Sequence, residues 1–332
     1  MTLAFFRKTE GEHAFGGAKK VRRKIGIALG AGVARGWAHI GAMQELAAMG
    51  IAPDVIVGAS IGAVVGGCFA AGRLDELEAF ARSLTKRSVF NLLDISLNGG
   101  GLIGGDRLRS RLETAMGTLR IEDLPIRFVA VATELETGHE IWLKSGPIVE
   151  AMRASYALPG VFPPLKLGGR WLFDGAIVNP VPVNVARAFG ADRVIALSIG
   201  GDGAGYGTAI HEAAEVEEAS FVSLTEPAPK VAGVIDGLRV TSLWMRRAWT
   251  AGNSQAPGLA TVIANTFSIT QDRITRSRLA GDPPDVLVSL KAGKVGLFEF
   301  HRADELIAIG RASVRKARDD IFEALEIASS EG

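Results

Sequence analysis

Residues 55–71 constrain the fold of this chain more than any other stretch, because seventeen consecutive residues carry no charge. Such a run has to be buried. It falls short of the ~20 residues a membrane-spanning helix needs, and it contains four glycines and a central serine. A buried strand at 54–58, a tight turn at Ser60 and a buried helix at 61–71 stopped by Gly72 account for it better.

The same alternation runs through the first 200 residues. Residues 25–29 read as a strand buried on both faces. Residues 36–49 read as a helix, with Trp37, Ile40, Met43 and Ala47 at helical spacing and Gly50 as the stop. Amphipathic helices follow at 74–84 and at 106–116, the second with Asp106 as a natural N-cap. Residues 128–133 are strand-like and 140–143 are expected to pair with them. A short helix is expected at 147–155, strands at 171–173 and 193–199, and a helix at 183–189. Alternating strands and helices predict an α/β fold: a three-layer α/β/α sandwich with a mostly parallel central sheet.

The pattern breaks after Gly200. Residues 201–257 are rich in Gly, Ala, Glu and Thr, and 231–251 mix apolar residues with Trp244, Arg246, Arg247 and Trp249. This reads as a helical, lid-like insertion spanning about 201–265 within one domain, 24–332. The segment 231–251 either packs on the domain or lies in a membrane interface. A strand at 285–290 and one charged amphipathic helix at 303–328 end the domain. Residues 1–23 read as a flexible basic leader, with Lys19, Lys20, Arg22 and Arg23 joined by Lys24 as a weak tether to anionic lipid. They lack the apolar stretch of a secretory signal, so a cytoplasmic location is expected, with peripheral contact at the inner membrane face.

A net charge of +1 gives no footprint for nucleic acid. The single cysteine, Cys68, lies within the apolar run and reads as an inert core thiol in a reducing compartment. Neither it nor the five histidines have metal-ligand spacing, and no cofactor is expected.

Gly58-Ala59-Ser60-Ile61-Gly62 matches G-x-S-x-G. A sharp strand-to-helix turn pushes the serine hydroxyl outward, small flanking residues let backbone come close, and the helix N-terminus favours developing negative charge. A Gly-rich turn with a structural serine would show the same pattern, but the strand before and helix after supply the required context. The earlier loop Gly30, Ala31, Gly32, Val33, Ala34, Arg35 and Gly36 allows two readings. A dinucleotide fingerprint would need an acidic residue at the end of the second strand, whereas Asp54 stands at its start. An oxyanion hole needs only that the two loops share a sheet edge, as adjacent parallel strands provide.

The serine also needs a base. His211 and His301 lie downstream, as a hydrolase triad would order them, and His301 follows a strand-like run at 295–300. A buried aspartate could act instead. Asp174, Asp202 and Asp236 each precede glycine, and Asp174 and Asp202 both follow strands. Spacing does not choose between them.

Three stretches in order, 30–41 (GAGVARGWAHIG), 58–62 (GASIG) and 174–176 (DGA), resemble the patatin-like phospholipases, most nearly the bacterial branch related to the catalytic domain of neuropathy target esterase. VATELETG at 131–138 and ASYALPGVFPP at 154–164 extend the likeness. The resemblance implies a patatin-like fold and a Ser–Asp dyad without a catalytic histidine. Ser60 would be the nucleophile, Asp174 the base and the 30–36 loop the oxyanion hole, with Arg35 at the family's basic position. It further implies a serine esterase acting on phospholipids or lysophospholipids. Ala31 and Val33 depart from the family's glycine run, and a β-branched Val33 resists positive φ. Those departures, together with the insertion at about 201–265, which has no match in the family, are what favour the alternative, a lipid-binding or regulatory protein of the same fold with little or no turnover. Head group, acyl position and oligomeric state stay open.

Overall fold

The computed structural model describes residues 22–86, 106–200 and 259–326. Its centre is one eight-stranded sheet in the order β5-β6-β3-β2-β1-β7-β8, with β4 paired to β3 off that path. The strands are β1 (Ile25–Leu29), β2 (Val55–Ala59), β3 (Arg127–Glu134), β4 (Glu140–Leu143), β5 (Leu165–Leu167), β6 (Arg170–Asp174), β7 (Arg193–Ser198) and β8 (Val286–Ser289). The β3-β2-β1-β7-β8 ladder is parallel, whereas the β3–β4, β3–β6 and β5–β6 pairings are antiparallel.

The helices are α1 (Ala38–Ala48), α2 (Ile61–Ala70), α3 (Leu74–Ser83), α4 (Asp106–Met116), α5 (Ile148–Tyr156), α6 (Val183–Ala188), α7 (Leu259–Gly281), α8 (Ala303–Lys316) and α9 (Arg318–Leu325). Strand alternation sends large and small side chains to opposite sides. Ile25, Ile27, Leu29, Ile56, Phe128, Ile195 and Leu197 join the core built with α1, α2, α5, α8 and α9. Ala28, Val55, Val57, Ala59, Val129 and Val131 face α6 and Leu279 of α7. Both faces are covered, so the three-layer α/β/α expectation holds. Cys68 is buried in the first core, and burial pushes its thiol pKa up, which keeps it protonated and inert.

Three expectations change. Residues 295–300 do not form a strand: the chain turns there and enters a 3-10 turn, Phe300–Arg302. Their backbone is engaged by the 30–36 loop instead, through Ala34 N–H to Leu297 O and the Arg35 side chain to Val295 O. The C-terminal helix is two helices parted at Ala317, whose amide bonds back to Ser313 and Val314. The charges record the break. Arg315 and Lys316 close α8, and Asp319 and Asp320 open α9, each favourable to its helix dipole. The helix expected from residue 36 starts at Ala38, preceded by a 3-10 turn, Val33–Trp37. Residues 1–21 of the 1–23 leader and 201–258 of the 201–265 insertion, including its 231–251 segment, Asp202, Asp236 and His211, lie outside the described residues.

Candidate active site

The site is built at the end of β3. Pairing of β2 with β3 ends at Ala59↔Val131, and pairing of β6 with β3 begins at the next position, Ala132↔Asp174. One strand therefore holds two others end to end along the same edge, and the residues at their tips, Ser60 and Asp174, are forced together. Ser60 Oγ donates a 2.7 Å hydrogen bond to Asp174 Oδ2.

Ser60 turns sharply between β2 and α2, at φ 56 and ψ −127. That is a strained conformation for a residue with a Cβ. The neighbouring glycines let the turn close. A Cβ at Gly58 would collide with Gly62 and Ala63 backbone, and one at Gly62 with the carbonyls of Leu29 and Gly30. The amide of Ser60 is held by Ser155 Oγ at 2.9 Å.

Asp174 is held on every side: its N–H donates to Ala157 O, its carbonyl accepts from Thr133 Oγ1, and its Oδ1 accepts from Ala176 N–H at 2.8 Å. It is 1% exposed. Burial drives its pKa up to about 7, only partly countered by the Ala176 and Ser60 hydrogen bonds. A carboxyl so poised exchanges a proton near neutral pH.

The 30–36 loop leaves β1 beside this turn, since β1 and β2 are parallel neighbours with Leu29 opposite Gly58. Its amides divide into two groups. Gly30 N–H bonds to Leu197 O, Ala31 N–H to Pro180 O, Ala34 N–H to Leu297 O and Arg35 N–H to Gly32 O. Gly36 lies inside the 3-10 turn, against Ile61 at the start of α2. The amides of Gly32 and Val33 have no acceptor among the described residues. Val33 adopts φ 52 despite its β-branch. Its side chain enters an apolar cluster with Leu158, Val161, Phe162, Phe267 and Phe298, which offsets part of that strain. Arg35 reaches away from the serine turn to the 293–295 backbone, with Nε to Val295 O at 2.6 Å and Nη2 to Gly293 O at 3.5 Å. It secures the loop.

His39, on α1, is buried beneath the loop with Nε2 2.8 Å from Gly30 O. A carbonyl can only accept, so Nε2 carries the proton. Burial lowers the His39 pKa to about 4, and the ring is neutral. No described histidine hydrogen-bonds Ser60 or Asp174: His139 is exposed near Glu134, and His301 lies in the Phe300–Arg302 turn. Among the described residues no group of His, Cys, Asp and Glu could hold a metal ion.

Sequence reasoning picked out Ser60, Asp174 and the loop but gave Ser155, Thr133 and His39 no role. Each of these three lies in a stretch that carries the family resemblance, Ser155 in ASYALPGVFPP, Thr133 in VATELETG and His39 in GAGVARGWAHIG, but their partners are visible only in three dimensions.

The model of the patatin-like phospholipases matches residues 27–187. An uncharacterized NTE family protein of Mycobacterium tuberculosis is 35% identical over 347 residues, covering 93% of this chain and 94% of that one. The chain belongs to the patatin-like phospholipase family. A patatin-like phospholipase domain-containing protein of Caenorhabditis elegans is 35% identical over 182 residues, covering 53% of this chain and 14% of its own length. Among solved structures, VipD from Legionella pneumophila shares the fold, with a TM-score of 0.50 at 14% identity over 92% of this chain and 67% of that one. The family supports lipid acyl hydrolysis.

Proposed function

We propose that this chain is a serine esterase that hydrolyses acyl ester bonds of phospholipids or lysophospholipids through a Ser60–Asp174 dyad. The observation that carries the reading is the 2.7 Å bond from Ser60 Oγ to a buried carboxylate. Ionised Asp174 accepts the Ser60 proton while Oγ attacks the ester carbonyl carbon. The carbonyl oxygen becomes an oxyanion, and the Gly32 and Val33 amides are the donors available to it. Collapse breaks the ester C–O bond, and the proton on Asp174 passes to the departing alkoxide. Water then attacks the acyl-enzyme, giving its proton to Asp174, and the fatty acid leaves with Ser60 restored.

The non-catalytic alternative rests on Ala31, Val33 and the insertion, of which residues 201–258 lie outside the described residues. The Ala31 amide is bonded to Pro180 O whatever its side chain, and the Val33 amide stays uncommitted. Neither departure removes a donor. Among the described residues no helix is long and apolar enough to cross a membrane. Contact with lipid would be peripheral, and exposed Leu135 and Trp171, bonded through Leu135 N–H to Trp171 O with Lys166 over the indole, offer an interfacial edge.

Fatty-acid release from lysophospholipid and diacyl phospholipid micelles tests the esterase reading. Wild type should release acid at a rate that rises through about pH 7, as Asp174 ionises, and Ser60→Ala and Asp174→Asn should release none. Full activity in Ser60→Ala refutes the mechanism, and activity lost only on replacing His301 would reassign the base.

A further inference from the structure

Ser155 is fully buried and takes no part in the chemistry above, yet it is bonded to the backbone that carries it. Its Oγ donates to Val131 O at 2.6 Å, which commits its one proton. The lone pairs then accept the Ser60 amide at 2.9 Å. Val131 is the β3 residue opposite Ala59, the last residue of β2. The ladder stops there because Ser60 turns to φ 56, and the hydroxyl of Ser155 bridges the gap between the Ser60 N–H and β3.

We propose that Ser155 is a positioning residue for the nucleophile. Its hydroxyl pins the Ser60 amide in the strained turn, so that Oγ stays in line with Asp174 on one side and the Gly32 and Val33 amides on the other. Two facts separate this role from packing. The face of α5 is anchored by buried apolar side chains, Ile148, Val149, Ala151 and Met152, which do not need a hydroxyl. The acceptor it supplies goes to the backbone atom of one residue only, the serine at the strained turn. A serine at positive φ without that restraint relaxes toward the common backbone regions and carries its Oγ with it. The inference rests on the esterase reading.

The test uses Ser155→Ala, Ser155→Thr and Ser155→Cys in the full chain, assayed on a soluble short-chain p-nitrophenyl ester. Prolonged fluorophosphonate labelling counts active sites, so turnover is expressed per competent site. Ser155→Ala should lower kcat by about 10- to 100-fold, as expected for a misplaced reacting group. KM should stay within about twofold, because substrate contacts are untouched. The pH midpoint set by Asp174 should not move, and Ser155→Thr, which restores the hydroxyl, should recover most of kcat. Ser155→Cys, close in size but a poor acceptor, should resemble Ser155→Ala and replaces it if the alanine variant does not fold. Unchanged kcat per labelled site, with only yield or thermal stability reduced, overturns the proposal. Wild type that does not label would sink the esterase reading itself; labelled wild type with indifferent Ser155 variants would sink this inference alone.

Discussion

Replacing Asp174 with asparagine removes a buried charge while keeping the shape of the side chain. Burial moves the pKa of Asp174 from 3.8 to about 7. Between those values the folded chain holds a proton that the unfolded chain has released. Stability therefore falls as pH rises through that window and levels off above it. At about 1.4 kcal/mol per pH unit, keeping the carboxylate ionised in the folded site costs roughly 4 kcal/mol at pH 8 and less than about 2 kcal/mol at pH 5. The amide has no such cost. Its oxygen still accepts the Ala176 N–H, and whatever it changes at Ser60 Oγ is the same at both pH values and cancels in the difference. Urea unfolding of both proteins at pH 5, 6, 7 and 8 measures this directly. Asp174→Asn should gain about 2–3 kcal/mol on wild type between pH 5 and pH 8, while hydrolysing nothing at any pH. A stability difference that stays flat from pH 5 to pH 8 would refute the claim that Asp174 is held as a high-pKa base.

Other perturbations probe the loop and the turn. Val33→Gly keeps the amide and relieves positive φ, so ester hydrolysis should stay within about threefold, whereas Val33→Pro both removes the donor and, with its ring holding φ at about −65°, forces the loop out of its positive φ, and should cost about 100-fold or more; a tenfold loss in the glycine variant would show that the valine side chain, not its N–H, matters. Gly62→Ala pushes a methyl into the Leu29 and Gly30 carbonyls and should destabilise by about 2 kcal/mol or more with loss of activity; urea midpoints equal to wild type would contradict that close approach. Burial lowers the His39 pKa from 6.5 to about 4, so the unfolded chain binds the extra proton and stability falls as pH drops through that range. His39→Gln should remove about 2 kcal/mol of the wild-type loss between pH 7 and pH 4.5, and an unaltered acid profile would place the ring elsewhere.

The serine turn was legible because its constraints are local: a buried strand, small residues on either side of Ser60 and a helix directly after. The parallel part of the sheet followed from alternation in the first half. Asp174 was not legible from spacing alone, because what places it is an antiparallel strand, β6, taking over the edge of β3 at the position after β2 leaves it. Resemblance, not periodicity, had singled it out. The loop was legible as a loop, but which of its amides remain uncommitted depends on Pro180, Leu197 and Leu297, far along the chain. Residues 295–300 misled because the apolar run of Val295, Leu297, Phe298 and Phe300 suggests a strand, while the backbone there serves the 30–36 loop.

The central claim is that Ser60 is activated. Incubating the purified chain with a fluorophosphonate and mapping the adduct by peptide mass tests it most directly. The account predicts one adduct, on Ser60, absent from Ser60→Ala and suppressed in Asp174→Asn. Folded wild type that stays unlabelled, or an adduct retained in Ser60→Ala, would contradict it.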